Sequence, residues 1–341
     1  MQNHAKAPLR LGLAGGGTDV SPYADLYGGN ILNATINLYA HASIRPTEDG
    51  IIGLRSLDQG VLEELPLSEH LPADGKLALL KGVYNRVVRD FSPSLRGFEL
   101  TTHVEAPPGS GLGSSSTLVT AIVGAFVEWM KLPLGDYDIA HLAYQVERVD
   151  LSMAGGRQDQ YAATFGGFNF MEFYADEKVI VNPLRIKDQY IHELEHNLVL
   201  FYTGASRLSS TIIEKQSQNI VEKNARSIEA MHRLKEQAVQ MKEALLMGRL
   251  TDLGDILNFG WQSKKEMAEG ISNPQIDTIY NTAMAAGANG GKISGAGGGG
   301  HLMFYCPDNR WFDVANALAP LQGEVRRFQF APHGLITWES K

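Results

Sequence analysis

One segment constrains this chain more than any other: Pro107-Pro108-Gly109-Ser110-Gly111-Leu112-Gly113-Ser114-Ser115-Ser116. It follows a strand-like run, Phe98–Val104, and opens Thr117–Met130, which is apolar nearly all round. A helix of that character is buried. Its first turn carries unpaired N–H groups and a partial positive charge. Spaced glycines let such a backbone wrap an anion, and serines add hydroxyl donors and metal ligands. The segment therefore predicts a phosphate cradle. An ordinary tight turn with a serine N-cap is the plainer alternative, but it needs neither the spaced glycines nor the serine run. It is not a Walker A loop, since G-x-x-x-x-G-K-[ST] occurs nowhere in the chain.

The chain has 36 glycines in 341 residues, and sixteen of them fall in four windows: Gly12–Gly17, Gly109–Gly113, Gly155–Gly156 and Gly290–Gly300. Clustering of this kind marks backbone that takes positive φ or comes close to something. In the first window, Arg10-Leu11-Gly12-Leu13-Ala14-Gly15-Gly16-Gly17-Thr18-Asp19, a strand delivers a cation and a flexible turn ends in Thr-Asp. Gly16, Gly17, Thr18 and Asp19 suit a hydroxyl-rich, sugar-like substrate. A cap of a helix over Ser21–Tyr27 is the alternative for Asp19. In the third window, Gly155-Gly156-Arg157-Gln158-Asp159-Gln160, an aspartate beside an arginine suits a general base held near a cation. A solvated loop ion pair reads equally well there. The fourth window, Lys292-Ile293-Ser294-Gly295-Ala296-Gly297-Gly298-Gly299-Gly300, formally contains G-x-G-x-x-G. A helix is expected before it and a strand after it, the reverse of a dinucleotide-binding turn. It reads instead as a loop, with Gly297 and Gly298, lying near a ligand or the first cradle.

Glu147 lies in a predicted helix, Tyr137–Val149. Its neighbours one turn away are Ala143, Tyr144, Asp150 and Leu151, none of them basic. It shares a face with Ala140 and Ala143. A carboxylate on a small-residue face suits Mg²⁺, which takes one or two carboxylates, waters and phosphate oxygens; a solvated glutamate is the alternative. His192-Glu193-Leu194-Glu195-His196 matches H-E-x-x-H. A zinc hydrolase needs both histidines on one face of a real helix plus a third ligand. A strand-like run, Leu198–Tyr202, begins two residues later, and no extending pattern follows.

Strands are predicted at Leu9–Ala14, Ala42–Pro46, Ile51–Ser56, Phe98–Val104, Leu198–Tyr202 and His301–Tyr305. Helices are predicted at Lys76–Phe91, Thr117–Met130, Tyr137–Val149, Ser209–Met247, Pro274–Ala286 and Trp311–Leu318. The mixed order favours α+β over a doubly wound sheet. The domain boundary is placed near residues 180–195, giving 1–185 and 186–341. The long helix permits a homodimer without demanding one. A net charge of -8 argues against a nucleic-acid partner. The longest apolar stretch, Leu118–Val127, is too short to span a membrane. Met1–Leu11 lacks a signal-peptide core, and the lone Cys306 forms no internal disulfide. These features together suit the cytoplasm.

Three windows in order, Ala7-Pro8-Leu9-Arg10 through Gly15-Gly16-Gly17-Thr18-Asp19, Pro107–Ser116 and Lys292–Gly300, resemble the GHMP small-molecule kinases. The resemblance implies a two-domain α+β fold. The N-terminal domain would be ATP-binding and like domain 2 of ribosomal protein S5; the C-terminal one would be ferredoxin-like. Within the superfamily, Arg10–Ala42, with Leu13–Val20 and Tyr27–Ala34, and Tyr144–Asp150 through Gly155–Tyr161 resemble the D-glycero-α-D-manno-heptose 7-phosphate kinase branch. Galactokinases have Gly-Glu-His-Thr-Asp where this chain has Gly15-Gly16-Gly17-Thr18-Asp19; fucokinases share a similar glycine-rich Thr-Asp motif. The resemblance also implies a role for each window. Asp159 matches the catalytic base and Arg10 its cation. Glu147 with Ser114 or Ser115 matches the Mg²⁺ ligands. Pro108, Gly109, Ser110, Gly111, Leu112, Gly113, Ser114, Ser115 and Ser116 would hold the ATP phosphates. The implied substrates are ATP and a sugar phosphate whose own phosphate needs a cation, for which Arg157, Arg45 and Arg55 are candidates. The implied product, a heptose 1,7-bisphosphate, feeds nucleotide-activated heptose for surface glycans.

Overall fold

A computed structural model describes residues 1–204 and 209–341. Two sheets organise them. The first has eight strands: β1 (Gln2–Ala14), β2 (Gly29–Thr47), β3 (Ile51–Ser56), β4 (Val61–Pro66), β5 (Gly97–Val104), β6 (Phe168–Phe173), β7 (Val179–Pro183) and β12 (Ile336–Ser340). The order is β12-β1-β2-β5-β3-β4, with β6 pairing β2 and β7. The second sheet is β11-β8-β10-β9, built from β8 (Leu198–Tyr202), β9 (Gly290–Ile293), β10 (His301–Tyr305) and β11 (Glu324–Arg326). Its spatial order, fourth-first-third-second with helices after the first and third strands, is the ferredoxin-like arrangement.

The runs predicted at Ile51–Ser56, Leu198–Tyr202, His301–Tyr305 and Trp311–Leu318 match the observed elements in full. Strands β8 and β10 are apolar throughout because both their faces are buried. Leu198, Leu200, Met303 and Tyr305 join the core that contains β1 and helix α3 (Ser114–Met130). Val199, Phe201, Leu302 and Phe304 join a second core with Trp261, Ile279 and Trp311. The period of two sorts each strand between the two cores, so the sheets share a buried wall.

Two expectations are corrected. The helix predicted over Ser209–Met247 is two, α7 (Ser209–Val221) and α8 (Ala225–Met247). Lys223 turns with φ 56, and Asn224 caps α8 by accepting from the Ser227 N–H at 3.1 Å. The fourth glycine window is preceded by strand β9, not by a helix, so it is the turn of a β9–β10 hairpin. At the far end of the chain, β12 returns to the first sheet and pairs antiparallel with β1, Gln2 opposite Ser340. Among the described residues, no helix is long and apolar enough to cross a membrane.

Candidate functional site

Arg10 lies on β1 between two irregularities of register with β2. Its backbone N–H donates to Leu112 O at 3.1 Å, which ties the strand to the glycine-serine loop. The residue is 4% exposed. Its Nε and Nη2 each lie 2.7 Å from Asp159 Oδ1, and Nη1 donates to Gly111 O at 2.5 Å. Asp159 sits in the first turn of α5 (Gln158–Phe165), with its side chain 20% exposed to the cavity. Gly113 makes room for it: at φ 76, a Cβ there would lie 3.0 Å from Asp159 Cγ.

That cavity has a volume of about 610 Å³ and lies between the two glycine-rich loops. The loops are bound together. Ser294 Oγ donates to Gly111 O at 2.9 Å, and the His301 N–H donates to Ser110 O at 3.0 Å. This bears out the expectation that the fourth window lies against the first cradle. His301 is buried there, and burial pushes its pKa down to about 4. Helix α3 begins at Gly113 with no side-chain cap. Its first-turn N–H groups thus keep their capacity for an anion. Ser114 Oγ donates to Pro107 O at 3.4 Å, whereas Ser115 Oγ makes no hydrogen bond among the described residues.

Glu147 is fully buried yet lines the cavity. Helix α4 (Asp136–Gln145) does not continue to Val149 as expected. It passes into a π-helical turn, Val146–Asp150. Such turns insert a residue and rotate those that come after. Glu147 Oε2 accepts from Gln160 Nε2 at 2.5 Å, while Oε1 is buried with no hydrogen-bond partner among the described residues. A buried carboxylate oxygen left over, with serine hydroxyls on the same cavity wall, is a hard-oxygen donor set that fits Mg²⁺. Arg148 also lines the wall, with Nη2 3.4 Å from Ser116 Oγ and Nη1 3.7 Å from Glu147 Oε1. A Cβ at Gly155 would lie 2.3 Å from Arg148 Cζ, and one at Gly156 would lie 1.9 Å from Asp19 Oδ2. The glycine pair therefore admits two side chains, and both glycines also line the cavity.

Asp19 does not cap the short helix α1 (Tyr23–Tyr27), which starts at Pro22. It caps α5 from across the fold: Oδ2 accepts from the N–H groups of Arg157 and Gln158 at 2.8 and 3.0 Å. It lines the cavity, and burial raises its pKa above the usual carboxylate value.

Several expected site residues lie elsewhere. Thr18 is fully buried, its hydroxyl engaged with Gly15 O and Asn30 O, and it does not reach the cavity. Arg157 turns its guanidinium away, to Asp25 at 2.6 Å and Tyr174 O at 2.8 Å. Arg45 pairs with Glu99 on the exposed sheet, and Arg55, also exposed, does not line the cavity. Ser110 and Leu112 are fully buried beneath the loop. Gly297 and Gly298 pack against Ile271, and Gly295 and Ala296 line the cavity in their place. Gly16 and Gly17 do line it.

Two lysines to which the sequence assigns no role complete the wall. Lys292 Nζ donates to Gly12 O at 2.5 Å, and burial holds its pKa well below the usual lysine value. Lys264, on α9 (Leu253–Lys265), donates to Gly16 O at 3.2 Å. Burial lowers its pKa to about 8, with Asp19 opposing the shift and Arg10 adding to it.

The H-E-x-x-H motif lies on a genuine helix, α6 (Asp188–Asn197), with His192, Glu193 and His196 at the surface. His196 Nε2 is 3.2 Å from Asn309 Oδ1, and Glu193 accepts from Asn197 at 2.8 Å. No group of three or more histidine, cysteine or acidic side chains placed to hold a metal occurs among the described residues.

Comparison with known proteins gives two family matches. Residues 78–167 match the GHMP kinases N terminal domain, and residues 241–319 match GHMP kinases C terminal. The chain is 47% identical to D-glycero-alpha-D-manno-heptose 7-phosphate kinase of Campylobacter jejuni, over 98% of each. It is 44% identical to a crystal structure of a D-glycero-D-manno-heptose 1-phosphate kinase from Bacteroides thetaiotaomicron, with a TM-score of 0.85 over 99% of each chain. It is 26% identical to L-fucokinase/L-fucose-1-P guanylyltransferase of Bacteroides fragilis, over 89% of this chain and 34% of that protein.

Proposed function

The chain belongs to the GHMP kinase family, and on that premise we propose that it transfers the γ-phosphoryl group of ATP to the anomeric hydroxyl of D-glycero-D-manno-heptose 7-phosphate. The products are the 1,7-bisphosphate and ADP. The observation that carries the chemistry is the Arg10–Asp159 pair, held on the cavity wall beside the uncapped start of α3.

In this reading the acceptor hydroxyl gives its proton to the Asp159 carboxylate as its oxygen bonds to the γ-phosphorus. The bond between that phosphorus and the bridging oxygen breaks, and the electron pair leaves with ADP. Phosphoryl transfer asks little covalent help of the protein; alignment and charge neutralisation dominate. Arg10 holds Asp159 in place through two contacts to one oxygen. The α3 N–H groups and the loop from Gly109 to Gly113 bind the phosphates. Glu147 Oε1 with Ser115, or Ser114, would hold Mg²⁺, which neutralises phosphate charge when bound. Asp19 Oδ1, whose one hydrogen bond among the described residues is a 3.5 Å contact from Gln158 Nε2, is left to accept from a sugar hydroxyl.

The Campylobacter and Bacteroides heptose kinases carry names that place the phosphate at opposite ends of the heptose. A coupled ADP assay resolves this for the present chain. ADP is expected with the 7-phosphate and not with the 1-phosphate, galactose or fucose. ADP with the 1-phosphate alone would reverse the hydroxyl assignment, and ADP with fucose alone would move the chain to the fucokinase branch.

A further inference from the structure

We infer that Lys264 is the cation that binds the phosphate already carried by the acceptor, and so separates a sugar phosphate from a free sugar. This inference rests on the proposed acceptor being phosphorylated. Arg157, the candidate next to Asp159 in sequence, is spent on Asp25 and Tyr174 O. Four cations line the cavity among the described residues: Arg10, Arg148, Lys264 and Lys292. Three are occupied. Arg10 holds Asp159, Arg148 lies against Glu147, Ser116 and Gly156 O, and Lys292 bonds tightly to Gly12 O in strand β1.

Lys264 and Lys292 are equally buried, each 2% exposed with one hydrogen-bond partner among the described residues, but Lys264 is the more loosely held, with Gly16 O at 3.2 Å against Gly12 O at 2.5 Å for Lys292. No carboxylate of the described residues lies within ion-pair distance of Lys264. An ammonium carries three donors, and burying one with so little compensation is costly. Burial accordingly weakens its hold on the proton. A phosphate would supply the missing acceptors and charge. The location fits too. Lys264 stands by Gly16, on the Asp19 side of the cavity, whereas the ATP cradle is formed by Gly109–Ser116. The rival account is that Lys264 only balances the buried charge of Asp19, its nearest acidic influence.

The test compares wild type, Lys264→Met and Lys264→Arg with heptose 7-phosphate and with unphosphorylated heptose. Removing one partner of a buried charge pair costs at least about 2 kcal/mol, or roughly 30-fold. Lys264→Met is therefore expected to raise KM for the 7-phosphate roughly 30-fold or more. The loss should be larger with the 7-phosphate than with free heptose, KM for ATP should change least, and Lys264→Arg should recover part of the loss. Inorganic phosphate should compete with the acceptor, not with ATP, in the wild type, a readout that survives even if a variant fails to fold. Equal losses with both acceptors would favour the Asp19 account and overturn the inference, as would an unchanged KM or an absence of phosphate competition. A wild type inactive on the 7-phosphate would sink the proposed acceptor as well; an active wild type with an indifferent Lys264→Met variant would sink the role of Lys264 alone.

Discussion

Arg10 and Asp159, 149 residues apart in the chain, meet through two 2.7 Å contacts that converge on one carboxylate oxygen. This leaves Asp159 Oδ2 as the oxygen free to receive a proton, since no hydrogen bond to it occurs among the described residues. Asp159→Asn preserves shape and removes basicity. Its kcat is expected to fall by about 10²–10⁴, with ATP affinity unchanged. Steady-state kinetics with nucleotide binding by calorimetry checks this, and near-normal turnover in a folded variant would remove Asp159 from the role.

Glu147→Gln retains an oxygen for Gln160 but gives up the charge of the buried carboxylate. The Mg²⁺ concentration for half-maximal rate is expected to rise at least ~10-fold. A magnesium titration at saturating ATP measures it. An unchanged midpoint would mean that Glu147 is a structural partner of Gln160 and no more.

Gly156→Ala places a methyl group 1.9 Å from Asp19 Oδ2. The carboxylate then leaves the N–H groups of Arg157 and Gln158 or the loop shifts. A loss of about 1–3 kcal/mol is expected, the range for inserting a methyl into filled space. A lowered Tm should come with a raised acceptor KM, because Asp19 lines the cavity. A Tm equal to wild type would show that the loop yields freely.

His301 contributes a pH dependence of known sign. Its pKa is about 4 in the fold and about 6.5 as a free side chain. Between those values the unfolded chain binds the extra proton, so stability falls as pH drops from about 6.5 toward 4. The ceiling is on the order of 3 kcal/mol. Urea unfolding at steps from pH 7.5 to 4.5 should show a shallower decline for His301→Gln than for wild type. Parallel declines would contradict the assignment.

The glycine-serine loop ahead of α3 is legible in sequence because it depends on local chemistry. Spaced glycines before an apolar helix point to one backbone geometry, and the loop's contacts agree with it. Arg157 and Thr18 mislead because adjacency in sequence does not say which side of a turn a side chain takes. Their backbones border the site while their side chains serve Asp25 and Asn30 O. For Asp19 the sequence offers a sugar-hydroxyl ligand or a cap of its own helix; it caps α5 and not α1, a pairing set by tertiary approach alone. Lys264 gives no signal, since within Ser263-Lys264-Lys265 nothing marks which lysine turns inward. The return of β12 to β1 is likewise a long-range choice that no local pattern announces.

The most direct measurement is phosphorus NMR of the product formed from ATP and D-glycero-D-manno-heptose 7-phosphate. The expected result is ADP and a sugar bearing two phosphate signals, one of them coupled to the anomeric proton. Unchanged heptose 7-phosphate, or a new phosphate on any other carbon, would contradict the proposed transfer.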